Sequence, residues 1–192
     1  MKTVLIIQGN PDPAGNHLCH AIAAAYREAA ETAGHQVMGI DVAQEQIPFL
    51  RTKEEWEGIN LPPVAAAGQK AVTKADHIVL IYPLWMGDMP AILKAWIEQV
   101  FRKGFAFEMD GSSWQSALKG KSARVMVTMG MPGFAYRWFY LAHSLRSLKR
   151  NILKICGIGP VKSCVFGNAE DPSGRAQQGF IATARRLGAS AG

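Results

Sequence analysis

The chain is poor in the signals that mark most specialised classes. Its three cysteines, Cys19, Cys156 and Cys164, form no C-x-x-C pair and leave an odd number, which excludes a disulfide framework and a cysteine zinc site. No acidic pair or histidine cluster suggests a metal, so no metal ligand is assigned. No stretch approaches the roughly 18 apolar residues of a membrane span. The apolar run behind Lys2 is too short for a signal-peptide core, so a reducing, cytoplasmic location is expected, without membrane insertion. Internal repeats, low-complexity segments and linkers are lacking, and 192 residues are expected to form one domain over 1–192. No dense basic block accompanies the net charge of +6, because Arg137, Arg146, Lys149, Arg150 and Lys154 are spread along one expected helix. Nucleic acid is therefore not an expected partner, although some of these bases suit cofactor phosphates. Ser/His/Asp and Cys/His nucleophile patterns are also missing.

What is present is a series of buried strands. The run 77–82 is β-branched, without polar alternation, and reads as a strand buried on both faces. Pro83 ends its pairing, Gly87 and Pro90 bracket a loop, and Ile92, Leu93, Trp96, Ile97, Val100 and Phe101 recur at helical spacing. Similar strands are expected at Thr3–Gln8, Gln36–Asp41, 123–129 and Val161–Phe166. Helices are expected at 17–33, 62–74, 134–155 and 172–187, with an irregular excursion over 43–62 and a polar loop through Lys121. Five strands separated by helices give an α/β doubly wound parallel sheet. Two strand orders compete, a dinucleotide-binding order and the flavodoxin-like order 2-1-3-4-5. The first loop lacks G-x-G-x-x-G, which favours the flavodoxin-like order. Three loops would then line one crevice: residues 9–19, 83–89 and 128–136.

In the first loop, Asn10, Asn16, His17, Leu18 and Cys19 stand at a helix start, where free N–H groups and the positive dipole end suit a phosphate. An ordinary turn whose side chains satisfy the loop backbone is the plain alternative. In the second, Pro83, Leu84, Trp85, Met86 and Gly87 make an apolar rim for a flat conjugated ring, unless Trp85 and Met86 are core or interface filler. The third offers Thr128, Met129, Gly130 and Gly133, then Tyr136 and His143. Either of the last two could steady charge on a ring during hydride transfer. A lone helical histidine is otherwise structural or exposed.

The stretch YPLWMGDMPAILKAWIEQVFRKGFAF, with Asn10-Pro11-Asp12-Pro13 and Thr128-Met129-Gly130, resembles the flavin-dependent NAD(P)H quinone reductase family, the DT-diaphorase-like branch of the flavodoxin-like fold. The resemblance implies FAD, with FMN as the alternative, held by Pro83 to Gly87 on one side and by Thr128, Gly130 and Tyr136 on the other. It implies NAD(P)H as co-substrate and a quinone-like acceptor, alternating over one ring face in a ping-pong cycle. A homodimer with the flavin near the interface is implied too, with Tyr136 and His143 as the catalytic pair. Asn10 departs from the histidine of the family's first-loop motif. Some relatives dock on ion-efflux systems, so a flavin-bound regulatory subunit is the second reading. A flavodoxin-type electron carrier fits less well, because the first loop lacks a long Ser/Thr/Gly phosphate wrap. A receiver domain fits least, for want of clustered aspartates.

Overall fold

The computed structural model describes residues 1–58, 60–110 and 113–192. Positions 59, 111 and 112, inside the expected excursion and polar loop, lie outside the described residues. In chain order come β1 (Thr3–Gln8), α1 (Leu18–Thr32), β2 (Gln36–Asp41), α2 (Lys53–Glu57), α3 (Pro63–Lys74), β3 (His77–Pro83) and α4 (Ala91–Val100). Then follow β4 (Phe107–Asp110), β5 (Ser113–Ser116), β6 (Ser122–Thr128), α5 (Gly133–Trp138), α6 (His143–Ser147), a π-helix (Leu148–Lys154), β7 (Val161–Phe166) and α7 (Arg175–Ser190).

The large sheet is parallel throughout, in the order β2-β1-β3-β6-β7. This is the flavodoxin-like order expected from the sequence. Because strand side chains alternate, β1 sends Leu5 and Ile7 to one core and Val4 and Ile6 to the other. The first core packs α3 and α4 through Val64, Val72, Leu93 and Trp96. The second packs α1 and α7 through Ile22, Tyr26, Ala184 and Leu187. Covering both faces explains why the strands read as continuous apolar runs.

The register places the site. Gln8 pairs with Ile81, Pro83 with Thr128, and Thr128 with Phe166, so four chain segments leave the sheet at one rim.

Two expectations need correction. The polar loop before Lys121 contains an antiparallel hairpin, β4–β5, secured by Phe107 stacked on Trp114 with ring centroids 4.1 Å apart. Four-residue strands are too short to show a period. The helix expected over 134–155 is broken after α5 by Leu141 and Ala142, both left-handed at φ 53° and 46°, and its later half is wound as a π-helix. The run Trp138-Phe139-Tyr140-Leu141 is apolar without periodicity, so nothing in it marked the break.

Candidate active site

A cleft of about 440 Å³ opens at this rim, lined by Asn10, Asp12, Asn16, His17, Leu18, Cys19, Pro83, Trp85, Thr128, Ala169 and Glu170. The first loop is folded on itself. Asn10 is buried, and its side-chain carbonyl accepts the Asp12 N–H at 3.0 Å. Asp12 accepts the Ala14 N–H at 2.9 Å and pairs with His17 at 2.6 Å, and these bonds hold its carboxyl below the usual range. His17 precedes α1 without capping it by a side-chain bond. The first backbone bonds of α1 reach His17 from His20 and Ala21, so the Leu18 and Cys19 N–H groups have no partner among the described residues and stand as donors at the cleft wall. Cys19 is buried, its thiol pushed up to about 11 by burial, and its Sγ lies 3.3 Å from Thr128 Oγ1. That contact ties the first loop to the end of β6. At this pKa the sulfur is a packing group rather than a nucleophile.

The second loop is anchored by the Leu84 N–H donating to the Thr128 carbonyl at 2.8 Å. Trp85 and Asp88 exchange two backbone bonds, 2.8 and 2.9 Å, around Met86 and Gly87, both at positive φ. This is a type I′ turn, which needs left-handed residues at both central positions. It leaves Trp85 half exposed beside the cleft and Met86 wholly in solvent. A methyl built on Gly87 would lie 3.8 Å from His143 Cε1, so the turn and α6 face each other. The His143 Nδ1 lies 3.2 Å from the Tyr140 carbonyl. A carbonyl only accepts, so Nδ1 donates to it, while Nε2 lies on the side of the turn.

Leu84, Met86, Gly87, Met129, Gly130, Gly133, Tyr136 and His143 are not among the cleft-lining residues. Gly130 instead abuts Glu170, and Gly133 packs on Val165. Tyr136 is buried, its hydroxyl 2.8 Å from Ser144 Oγ while accepting the Leu145 N–H at 3.2 Å. Its oxygen is therefore occupied in joining α5 to α6, which sequence reading could not reveal because the chain break at 141–142 creates the contact. Tyr136→Phe is expected to lower stability by about 1–2 kcal/mol by stranding the Leu145 N–H, as measured by urea unfolding.

Three cleft residues were not among the named site residues: Asp12, which lies inside the expected first loop, and Ala169 and Glu170. The last two follow β7, the neighbour of β6 at the same rim, and the strand order alone would have pointed to them. A second cleft, about 540 Å³, lies between the 48–62 segment and α4. It gathers no strand-end loop. Its buried Arg102 commits both terminal nitrogens to the Glu55 carbonyl and the Gln99 side chain. We therefore assign the site to the rim cleft, where open α/β sheets bind ligands.

No helix is long and apolar enough to cross a membrane, and no group of three metal-ligating side chains occurs among the described residues.

The "Uncharacterized NAD(P)H oxidoreductase" of Haemophilus influenzae is 27% identical over 165 residues, 84% of this chain and 82% of its own length. The human ribosyldihydronicotinamide dehydrogenase [quinone] is 29% identical over 142 residues, 69% of this chain and 59% of its own. An FMN-dependent NADH:quinone oxidoreductase of Clostridium beijerinckii is 28% identical over 140 residues, 68% and 70%. Among solved structures, the NAD(P)H:quinone oxidoreductase of Methanothermobacter marburgensis superposes with a TM-score of 0.86 at 23% identity, covering 97% of each chain. These names bear out the resemblance drawn from the tryptophan loop. With a family model described as the flavodoxin-like fold matching residues 2–188, the chain belongs to that family.

Proposed function

We propose that this chain is a flavin-dependent NAD(P)H oxidoreductase that delivers two electrons to a quinone-like acceptor. The observation that carries the reading is the convergence of a free helix N terminus, an exposed indole and a buried threonine on one cleft at the rim of the sheet. The free Leu18 and Cys19 N–H groups suit a phosphomonoester dianion. The faces of Trp85 and Pro83 suit a flat ring.

FMN is placed ahead of FAD. The cleft presents one helix-terminus cradle among the described residues, which matches a single phosphate, and the Clostridium relative is named as FMN-dependent. Bound flavin would supply the hydride chemistry. The chain's own residues hold and orient it. Leu18 and Cys19 would donate to the phosphate, while Trp85 and Pro83 would hold the ring and shield it from water. His143 Nε2 faces the Trp85–Asp88 turn and can hold a proton for the acceptor's oxygen. Tyr136 positions His143 from below by joining α5 to α6. Both substrates would use this one cleft in turn, in a ping-pong cycle.

Phe134 and Trp138 of α5, with Phe139 and Leu141 just after it, are all more than half exposed. A second copy of the chain covering them forms a homodimer with the flavin near the interface.

Protein purified with its flavin should be yellow and bleach anaerobically on adding NAD(P)H. Colourless protein that neither FMN nor FAD reconstitutes would overturn the reading. Trp85→Ala should weaken FMN binding about tenfold, since stacking and area together exceed roughly 1.4 kcal/mol, as read by quenching of flavin fluorescence.

A further inference from the structure

Positive charge is not evenly distributed along this chain. Residues 111–169 contain nine of the 21 cations and none of the 15 acids. Three helices pair a cation with an acid four residues on: Arg27 with Glu31 in α1, Lys53 with Glu57 in α2 and Lys94 with Glu98 in α4. The π-helix does not. It turns Leu148 and Leu153 into the core, and its Lys149, Arg150, Asn151 and Lys154 line, together with Arg146 of α6, a groove of about 580 Å³. None of these four cations has an acidic partner among the described residues. The wide π turn brings residues four and five apart onto one face, so like charges are held side by side. Bringing them together raises their mutual repulsion, which a bound anion relieves.

The groove begins one turn beyond His143, whose ring faces the turn that carries Trp85. At about 1.5 Å of rise per α-helical residue and less in the wider π turns, Lys154, eleven residues on, lies at most about 17 Å along the axis from His143. That spacing suits an extended dinucleotide with its nicotinamide at the ring and its far end on the cations. We propose that this groove binds the 2′-phosphate of NADPH, with Arg150 and Lys154 as the residues that select NADPH over NADH. The inference rests on the oxidoreductase reading for the position of the nicotinamide end. The shared chemistry is a phosphomonoester dianion met by several cations, one of them a guanidinium fork.

The test is calorimetric titration of the full chain at low salt with adenosine 2′,5′-bisphosphate, adenosine 5′-monophosphate and inorganic phosphate. The bisphosphate should bind at least about tenfold tighter than either comparison ligand, and raised salt should weaken it. The double variant Arg150→Ala/Lys154→Ala should erase that preference, as should the charge reversal Arg150→Glu. In turnover, the double variant should lower the NADPH-to-NADH ratio of kcat/KM about tenfold. Equal binding of bisphosphate and monophosphate, or an unchanged preference in both variants, overturns the proposal. So does inorganic phosphate binding as tightly as the bisphosphate, or capture by phosphatidylglycerol vesicles without nucleotide selectivity. Because the titration needs neither flavin nor turnover, the two readings fail separately. A chain that selects the bisphosphate but takes up no flavin sinks only the oxidoreductase reading. A yellow protein that treats both nucleotides alike sinks only the groove.

Discussion

Gly167→Ala is expected to destabilise the protein by about 2–3 kcal/mol and to weaken flavin binding at the same time. Gly167 directly follows β7, and an added methyl would fall onto the Gly133 amide nitrogen, 2.8 Å from Gly133 Cα and 2.8 Å from the Met131 carbonyl. All three obstacles are backbone, so no rotamer change relieves the overlap. One loop must move. The 128–133 segment is also held from this side by Asn168 N–H donating to the Met131 carbonyl at 3.1 Å and by Ala169 N–H donating to Met129 at 2.9 Å. Pushing it away displaces Thr128 and Ala169 from the cleft wall. Urea unfolding should show a lower midpoint at unchanged slope, with a thermal midpoint roughly 4–12 °C lower. A change below about 0.5 kcal/mol would mean that the two loops do not touch as described.

Trp96→Ala should cost more, about 3–5 kcal/mol. Trp96 is fully buried on α4, with its ring 6.3 Å from Phe101 in an edge-on arrangement. α3 approaches it closely: a methyl on Gly68 would lie 3.1 Å from Trp96 Cζ2. The indole Nε1 has no hydrogen-bond partner among the described residues, so the expected loss is one of packing. Helices on this side cannot collapse into the void without pulling α4 off the sheet, and α4 carries the C-terminal end of the Trp85 turn. Thermal unfolding followed by circular dichroism should show a midpoint lower by roughly 6–20 °C. Trp96→Phe should recover much of that loss, because a ring of similar shape refills most of the space.

The central strands were readable because burial on both faces writes itself into sequence as apolar runs, as in β1 and β3; the edge strands β2 and β7 are part exposed and carry polar residues, yet all five expected strands lie in the large sheet. The order followed from what the first loop lacked. The cleft was partly readable for the same reason: once the order is known, loops after β1, β3 and β6 must share a rim. Asn10, Asn16, His17, Leu18, Cys19, Pro83, Trp85 and Thr128 were placed there, and they do line it. Glu170 was missed because attention to three loops overlooked the fourth strand end. Tyr136, expected beside the ring, lies buried with its hydroxyl on Ser144 and Leu145, a placement that depends on a chain reversal at Leu141 and Ala142, where residue types that disfavour left-handed backbone gave no warning. Local pattern carries secondary structure; which hydroxyl ends opposite which amide is set by tertiary fit.

Since the cleft walls are contributed by stretches that lie as far apart as residues 10 and 170, no fragment of the chain can build the cavity alone. Occupancy is thereby coupled to completion of the whole sheet. A small molecule seated there at a hundred times its dissociation constant would add about 2.7 kcal/mol to the native state by mass action. The cell's supply of that molecule then helps decide how long each copy survives proteolysis.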